Sequence, residues 1–156
     1  MSSNRTTMTA SNQAAAANLA KASAWCAERG EKFTPTRQAV FELLADQEQA
    51  LTAYQLLDRL QEAIPHAKPP TIYRALEFLQ RMGLVHRIDS RNAFVVCEDF
   101  PHHHESAFLV CQECGSVSEV SMDAMVEQIV EAAAHQGFKS HHATVEIRGL
   151  CKLCQN

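Results

Sequence analysis

The amino-acid sequence predicts an α+β fold in two units: short helices closed by a β-hairpin, then strands around a single helix. Three observations lead there. Helix-forming stretches with apolar faces run up to about residue 83, and two short β-branched-rich stretches flank residues 90–92. Two Cys-x-x-Cys pairs, Cys111/Cys114 and Cys151/Cys154, fall in the last third of the chain. Charge divides the same way. Residues 1–95 carry 11 Lys and Arg against 9 Asp and Glu, whereas residues 96–156 carry 3 against 9, so a net +2 is joined to a net −6.

The 156 residues suit one domain or two small ones, and 46% hydrophobic with 21% charged is ordinary for a globular chain. Apolar runs are too short to span a bilayer, and "MSSNRTTMTASN" lacks the apolar block of a secretory signal. A cytoplasmic protein without a membrane partner is expected. In that reducing compartment the six cysteines read as metal ligands or redox groups rather than disulfides.

Residues 1–13 read as a flexible tail. Residues 14–29 are rich in helix formers and stop at Gly30. In "FTPTRQAVFELLAD", Thr34 is a natural N-cap and Pro35 fits the first helical position, with Val40, Phe41, Leu43 and Leu44 apolar. Thr52 and Gln55 make a capping box, Leu51 can staple to Leu56, and that helix runs to Pro65. A fourth helix follows Lys68-Pro69-Pro70. Ile72, Leu76 and Leu79 should face inward, and Arg74, Glu77 and Arg81 outward. After Gly83, "LVHRIDS" and "AFVVC" form a hairpin around Ser90-Arg91-Asn92. This order is that of a winged helix-turn-helix over residues 14–97, with the fourth helix in the DNA major groove and the hairpin as wing. A helical bundle carrying solvated charges fits the same pattern, since a fold does not dictate a function.

Residues 98–105 read as a hinge and 106–156 as a β-β-α-β unit. "SAFLVC" and "SVSEV" pair, and Ser121 caps a helix on which Met122, Met125, Val126, Ile129 and Ala133 recur. In "ATVEIRGLC", Ala143, Val145 and Ile147 share one face. So small a unit needs a staple, a partner subunit, or both. Cys111, Cys114, Cys151 and Cys154 can supply the staple as a tetrahedral zinc site. A thioredoxin-like redox pair would open a helix after a strand, which Cys111-Gln-Glu-Cys114-Gly115 does not. Cys26 reads as a small buried apolar group.

One more stretch, "CEDFPHHHES" at 97–106, crowds a cysteine, three histidines and three acids together. Cys97 could be a core thiol and His86 a surface imidazole, or both could be ligands. His102 and His103 could form an accessory site, support His104, or be solvated; His141 and His142 are similar. A catalytic zinc with an open position is a rival reading. It lacks a His-Glu-x-x-His helix, and a cysteine as fourth ligand would close it.

"TPTRQAVFELL", "AYQLLDRL", "KPPTIYRALEFLQRMGLVHRI", "HHHESAFLVCQECG" and "GLCKLC" together resemble the ferric-uptake-regulator family of metal-sensing repressors, and most closely its zinc-uptake-regulator branch. The resemblance implies a winged helix, a hinge and a dimerisation domain, and a homodimer on palindromic double-stranded DNA. It implies about two zinc ions per monomer. Cys111, Cys114, Cys151 and Cys154 would hold the structural one, and His86, Cys97, His104 and Glu119 the regulatory one. Beside these, and apart from the resemblance, His102, His103 and His142 stay candidates for an accessory metal site. Tyr73 and Arg74 would contact DNA, helped by Lys68, Thr71 and Arg91. No enzymatic activity is expected. The Cys97 thiolate favours zinc over ferrous iron; family sensors of iron, manganese, nickel or peroxide are the alternatives.

Overall fold

A computed structural model of the chain describes residues 6–47, 49–98, 100, 106–141 and 143–155. The chain divides into two compact units, Met1–Cys97 and Glu98–Asn156.

The first unit opens with α1, Thr6–Glu28. The expected start at residue 14, behind a flexible tail, is therefore too late: no Gly or Pro interrupts residues 6–13, so the alanine-rich helix extends backward through them. Helix α2, Pro35–Ala45, follows the Thr34 N-cap, whose hydroxyl accepts the Arg37 N–H at 3.5 Å. It buries Val40, Phe41 and Leu44, while Leu43 is half-buried. Helix α3, Ala53–Ala63, starts at the foreseen capping box: Gln55 N–H donates to Thr52 Oγ1 (3.2 Å) and Thr52 N–H to Gln55 Oε1 (2.9 Å).

Helix α4 spans Pro69–Arg81, so both prolines lie inside its first turn, where no intrahelical N–H bond is lost. Ile72, Ala75, Leu76, Phe78 and Leu79 are buried, and Arg74, Glu77 and Arg81 are exposed. Gly83, at φ +71°, ends the helix: Gly83 N–H donates to the Gln80 carbonyl and Leu84 N–H to the Leu79 carbonyl, both at 2.9 Å. A side chain at that φ would be strained, so the turn calls for glycine.

A two-residue strand that the sequence reading did not foresee, β1 (Leu51–Thr52), pairs with the hairpin formed by β2 (Val85–Ile88) and β3 (Ala93–Val96). The sheet order is β1-β3-β2, all antiparallel. Asn92 carries the hairpin turn in the left-handed region at φ 47°.

In the second unit β4 (Ser106–Cys111) is central, with β5 (Val117–Ser121) antiparallel on one side and β6 (Val145–Gly149) parallel on the other. Helix α5, Asp123–His135, makes the crossover that parallel pairing requires. Its N-cap is Met122, not the expected Ser121. Ser121 is committed to the ladder opposite Ser106, and its hydroxyl bonds the Asp123 carboxylate at 3.3 Å.

The inward faces expected here are only partly covered. Phe108, Val110 and Val126 are buried, but Met125 and Ile129 on α5 and Ile147 on β6 are about half exposed. Register puts Leu109 opposite Ile147 and Ala107 opposite Val120. Leu109, Val120 and Ile147 therefore form one open apolar sheet face.

Candidate metal centre and nucleic-acid interface

The parallel pairing of β4 with β6 builds the cysteine cluster. Both strands run the same way and finish level, with Cys111 opposite Gly149. The turn leaving β4 carries Cys111 and Cys114, and the turn leaving β6 carries Cys151 and Cys154, so both pairs arrive at one sheet end. The turns are tied by backbone bonds: Gln112 N–H to the Gly149 carbonyl (2.8 Å), Cys111 N–H to Ser116 (2.9 Å) and Cys154 N–H to Cys151 (2.9 Å).

The four Sγ atoms lie within 4.8 Å of one another, and Cys114 and Cys151 Sγ are 3.8 Å apart. Zinc–sulfur bonds of about 2.3 Å in a tetrahedron place sulfurs about 3.8 Å apart, so the donor set fits zinc. The thiols are electrostatically unequal. Cys151 N–H donates to Cys111 Sγ at 3.4 Å, and with further backbone donors it pulls the Cys111 thiol down to about 6. Ser116, hydrogen-bonded to Cys114 Sγ at 3.2 Å, lowers that thiol too. Cys154, facing the Cys151 sulfur and then the other two, is pushed up to about 12. Four thiols this close cannot all ionise without a cation among them. Ser116 is a supporting group that the sequence reading missed; its only signal was a hydroxyl two residues beyond Cys114.

Within the first unit, β2 and β3 bring together a second pair. His86 is opposite Val95, so Cys97, two residues on, lies on the same face of the hairpin. An imidazole nitrogen of His86 and the Cys97 sulfur lie within 4.8 Å, and Cys97 is buried, its N–H held by the Leu84 carbonyl at 2.9 Å. Glu119 sits on β5 opposite Phe108 and accepts the Glu98 N–H at 3.1 Å. His102, His103, His104 and His142 lie outside the described residues. His141 is described and exposed. Cys26 is fully buried, and burial is the main cause that pushes its thiol up.

The residues expected to meet DNA cluster at the start of α4 and at the hairpin tip. Tyr73 is 59% exposed, and Lys68, Arg74 and Arg91 are exposed. Thr71 is half-buried. Its hydroxyl accepts the Lys68 N–H at 3.2 Å, and its N–H donates to the Lys68 carbonyl at 2.8 Å, closing the first turn. Helix α3 followed by α4 is the helix-turn-helix pair and β2–β3 is the wing.

A winged helix-turn-helix followed by a cysteine-clustered α/β unit defines a class of metal-binding transcription regulators. Residues 28–148 match the ferric uptake regulator family, and the chain belongs to it. The chain is 43% identical to the zinc uptake regulation protein of Escherichia coli (strain K12) over 137 residues, 87% of this chain and 80% of that one. A zinc uptake regulator complexed with zinc and DNA superposes with a TM-score of 0.88 at 42% identity, over 90% of this chain and 94% of that one. Holo XcZur does so with a TM-score of 0.81 at 39% identity, over 87% and 95%. Among the described residues no helix is long and apolar enough to cross a membrane.

Proposed function

We propose that the chain is a zinc-sensing transcriptional repressor, not an enzyme, which binds palindromic operator DNA as a zinc-loaded homodimer and represses zinc-uptake genes. Its similarity to zinc uptake regulators supports this reading. About two zinc ions per monomer are proposed. Cys111, Cys114, Cys151 and Cys154 hold the structural ion. His86, Cys97, Glu119 and His104 hold the regulatory ion, with His102, His103 and His142 as accessory groups. The limits proposed are a winged helix ending at residue 97, a hinge over 98–105 and a dimerisation domain over 106–156.

The observation that carries the choice of metal is the Cys97 thiol beside the His86 imidazole on the wing. Imidazole with thiolate suits zinc, whereas a ferrous sensor would use nitrogen and oxygen donors alone. Bound there, zinc would couple the wing to the dimerisation unit and raise the population of the arrangement that matches the operator. Arg74 reads a purine edge in the major groove, preferably guanine. Tyr73, Lys68, Thr71 and Arg91 position the helix and wing on the backbone or minor groove. The open face of Leu109, Val120 and Ile147 supports a homodimer, because so small a unit leaves this apolar surface to a partner copy.

The test is operator binding by gel shift, with and without zinc, for the wild type and Cys97→Ala. Zinc-dependent binding by the wild type alone is expected. Binding by the chelated protein and by the variant as tight as that of zinc-loaded wild type would remove the sensing role.

A further inference from the structure

We infer that Trp25, Glu31 and Arg37 form a clamp that sets the angle of α4, making them positioning residues for base reading; this rests on the DNA-binding function proposed above. The last turn of α4 is held by one continuous segment, from the end of α1 to the first turn of α2. Trp25, the only tryptophan of the chain, donates its indole N–H to the Met82 carbonyl at 2.9 Å. That carbonyl belongs to the C-cap of α4, where the last turn leaves acceptors without an intrahelical donor. Glu31 pairs with Arg81 at 2.7 Å. The Arg37 guanidinium stacks 3.6 Å above the Phe78 ring, and it also donates to the Lys32 carbonyl, which ties the intervening loop to the same group. Arg29 in turn covers the other partner, its guanidinium 2.9 Å from the Trp25 ring centre.

The geometry explains why the far end matters. Arg74 precedes Met82 by eight residues, about 12 Å along the axis. A tilt of about 10° pivoting at the C-cap would shift Arg74 by roughly 2 Å, enough to break a bidentate contact to a base edge. The buried row from Ile72 to Leu79 holds α4 against the core along one face, and the clamp adds contacts at its C-terminal end. The ion pair is partly exposed, with Arg81 and Glu31 side chains 58% and 33% accessible, so it adds little to overall stability. Its consequence is directional, since it removes tilted states that leave the core packed.

The test uses the zinc-loaded full chain and a pool of random-sequence duplexes. The duplex that the wild type enriches is compared with a scrambled duplex of the same composition. Trp25→Phe keeps the ring but removes the donor, and Glu31→Gln removes the ion pair. Each is expected to weaken binding to the enriched duplex about fivefold while leaving the scrambled duplex within about twofold and the protein cooperatively folded, its melting temperature lower by no more than about 8 °C. The exchange Glu31→Arg with Arg81→Glu should restore the preference lost in Glu31→Gln. Equal losses on both duplexes, no loss on either, or a collapse of melting temperature in both single variants would overturn the clamp. If the wild type enriches no duplex, the DNA-binding function itself fails, and that result is read before any variant is made.

Discussion

Cys114 and Cys151 place their sulfurs 3.8 Å apart although 36 residues separate them in the chain. The close approach follows from one pairing, β4 beside β6 in parallel, which brings two strand ends and their cysteine turns to the same edge. The intervening residues hold β5, α5 and β6, so a metal at this point would tie the end of the second unit to its beginning.

Replacing one of these ligands should therefore unfold more than a turn. Cys151→Ser is expected to lower zinc content by about one ion per monomer and to abolish the ordered second unit, because metal binding here is folding free energy. Zinc analysis beside circular dichroism checks it. A variant with unchanged zinc and an unchanged melting curve would remove the cysteine cluster from its structural role.

Cys97→Ala should keep the structural ion and the fold while losing the labile one. Mild chelation of the wild type and the variant would then give proteins of equal, low operator affinity. Added zinc should restore binding in the wild type only, as read by fluorescence anisotropy.

Arg74→Ala should cost about 1–3 kcal/mol of operator binding and relax preference at one base pair. Lys68→Ala should instead weaken all sequences alike and reduce the salt slope. A uniform loss for Arg74→Ala would make it a phosphate contact.

Ile147→Asp sets a charge in the centre of the open sheet face, beside Leu109. The expected result is a folded monomer with poor operator binding, measured by analytical ultracentrifugation. Persistence of the dimer at low micromolar protein would move the interface elsewhere.

Thr52→Ala removes the hydroxyl that accepts the Gln55 N–H. It should destabilise the first unit by about 1 kcal/mol, visible as a lower denaturation midpoint with an unchanged slope.

Local signals were read well because their physics is local. A hydroxyl before a helix, a proline in a first turn and a glycine after a last turn each act within a few residues. The starts of α2 and α3 and the end of α4 duly fall at Thr34, Thr52 and Gly83. The cysteine spacing named the four thiols for the same reason. Apart from the start of α1, what was misjudged depended on longer contacts. β1 exists because Leu51 finds Phe94, more than forty residues away. Ser121 became a strand end because Ser106 faces it. Ile147 alternates like an inward residue, yet the described residues leave it about half exposed.

The chain alone thus determined the order of its helices, the caps of α2 and α3, the identity of its metal-capable groups and the division of charge between its halves. Only the tertiary structure decided that β6 runs beside β4, that the two cysteine turns meet, and that Trp25 reaches the end of α4. Those outcomes turn on which distant segments pair and in what register, a choice made by the summed burial and hydrogen bonding of whole elements, which no short window of residues contains.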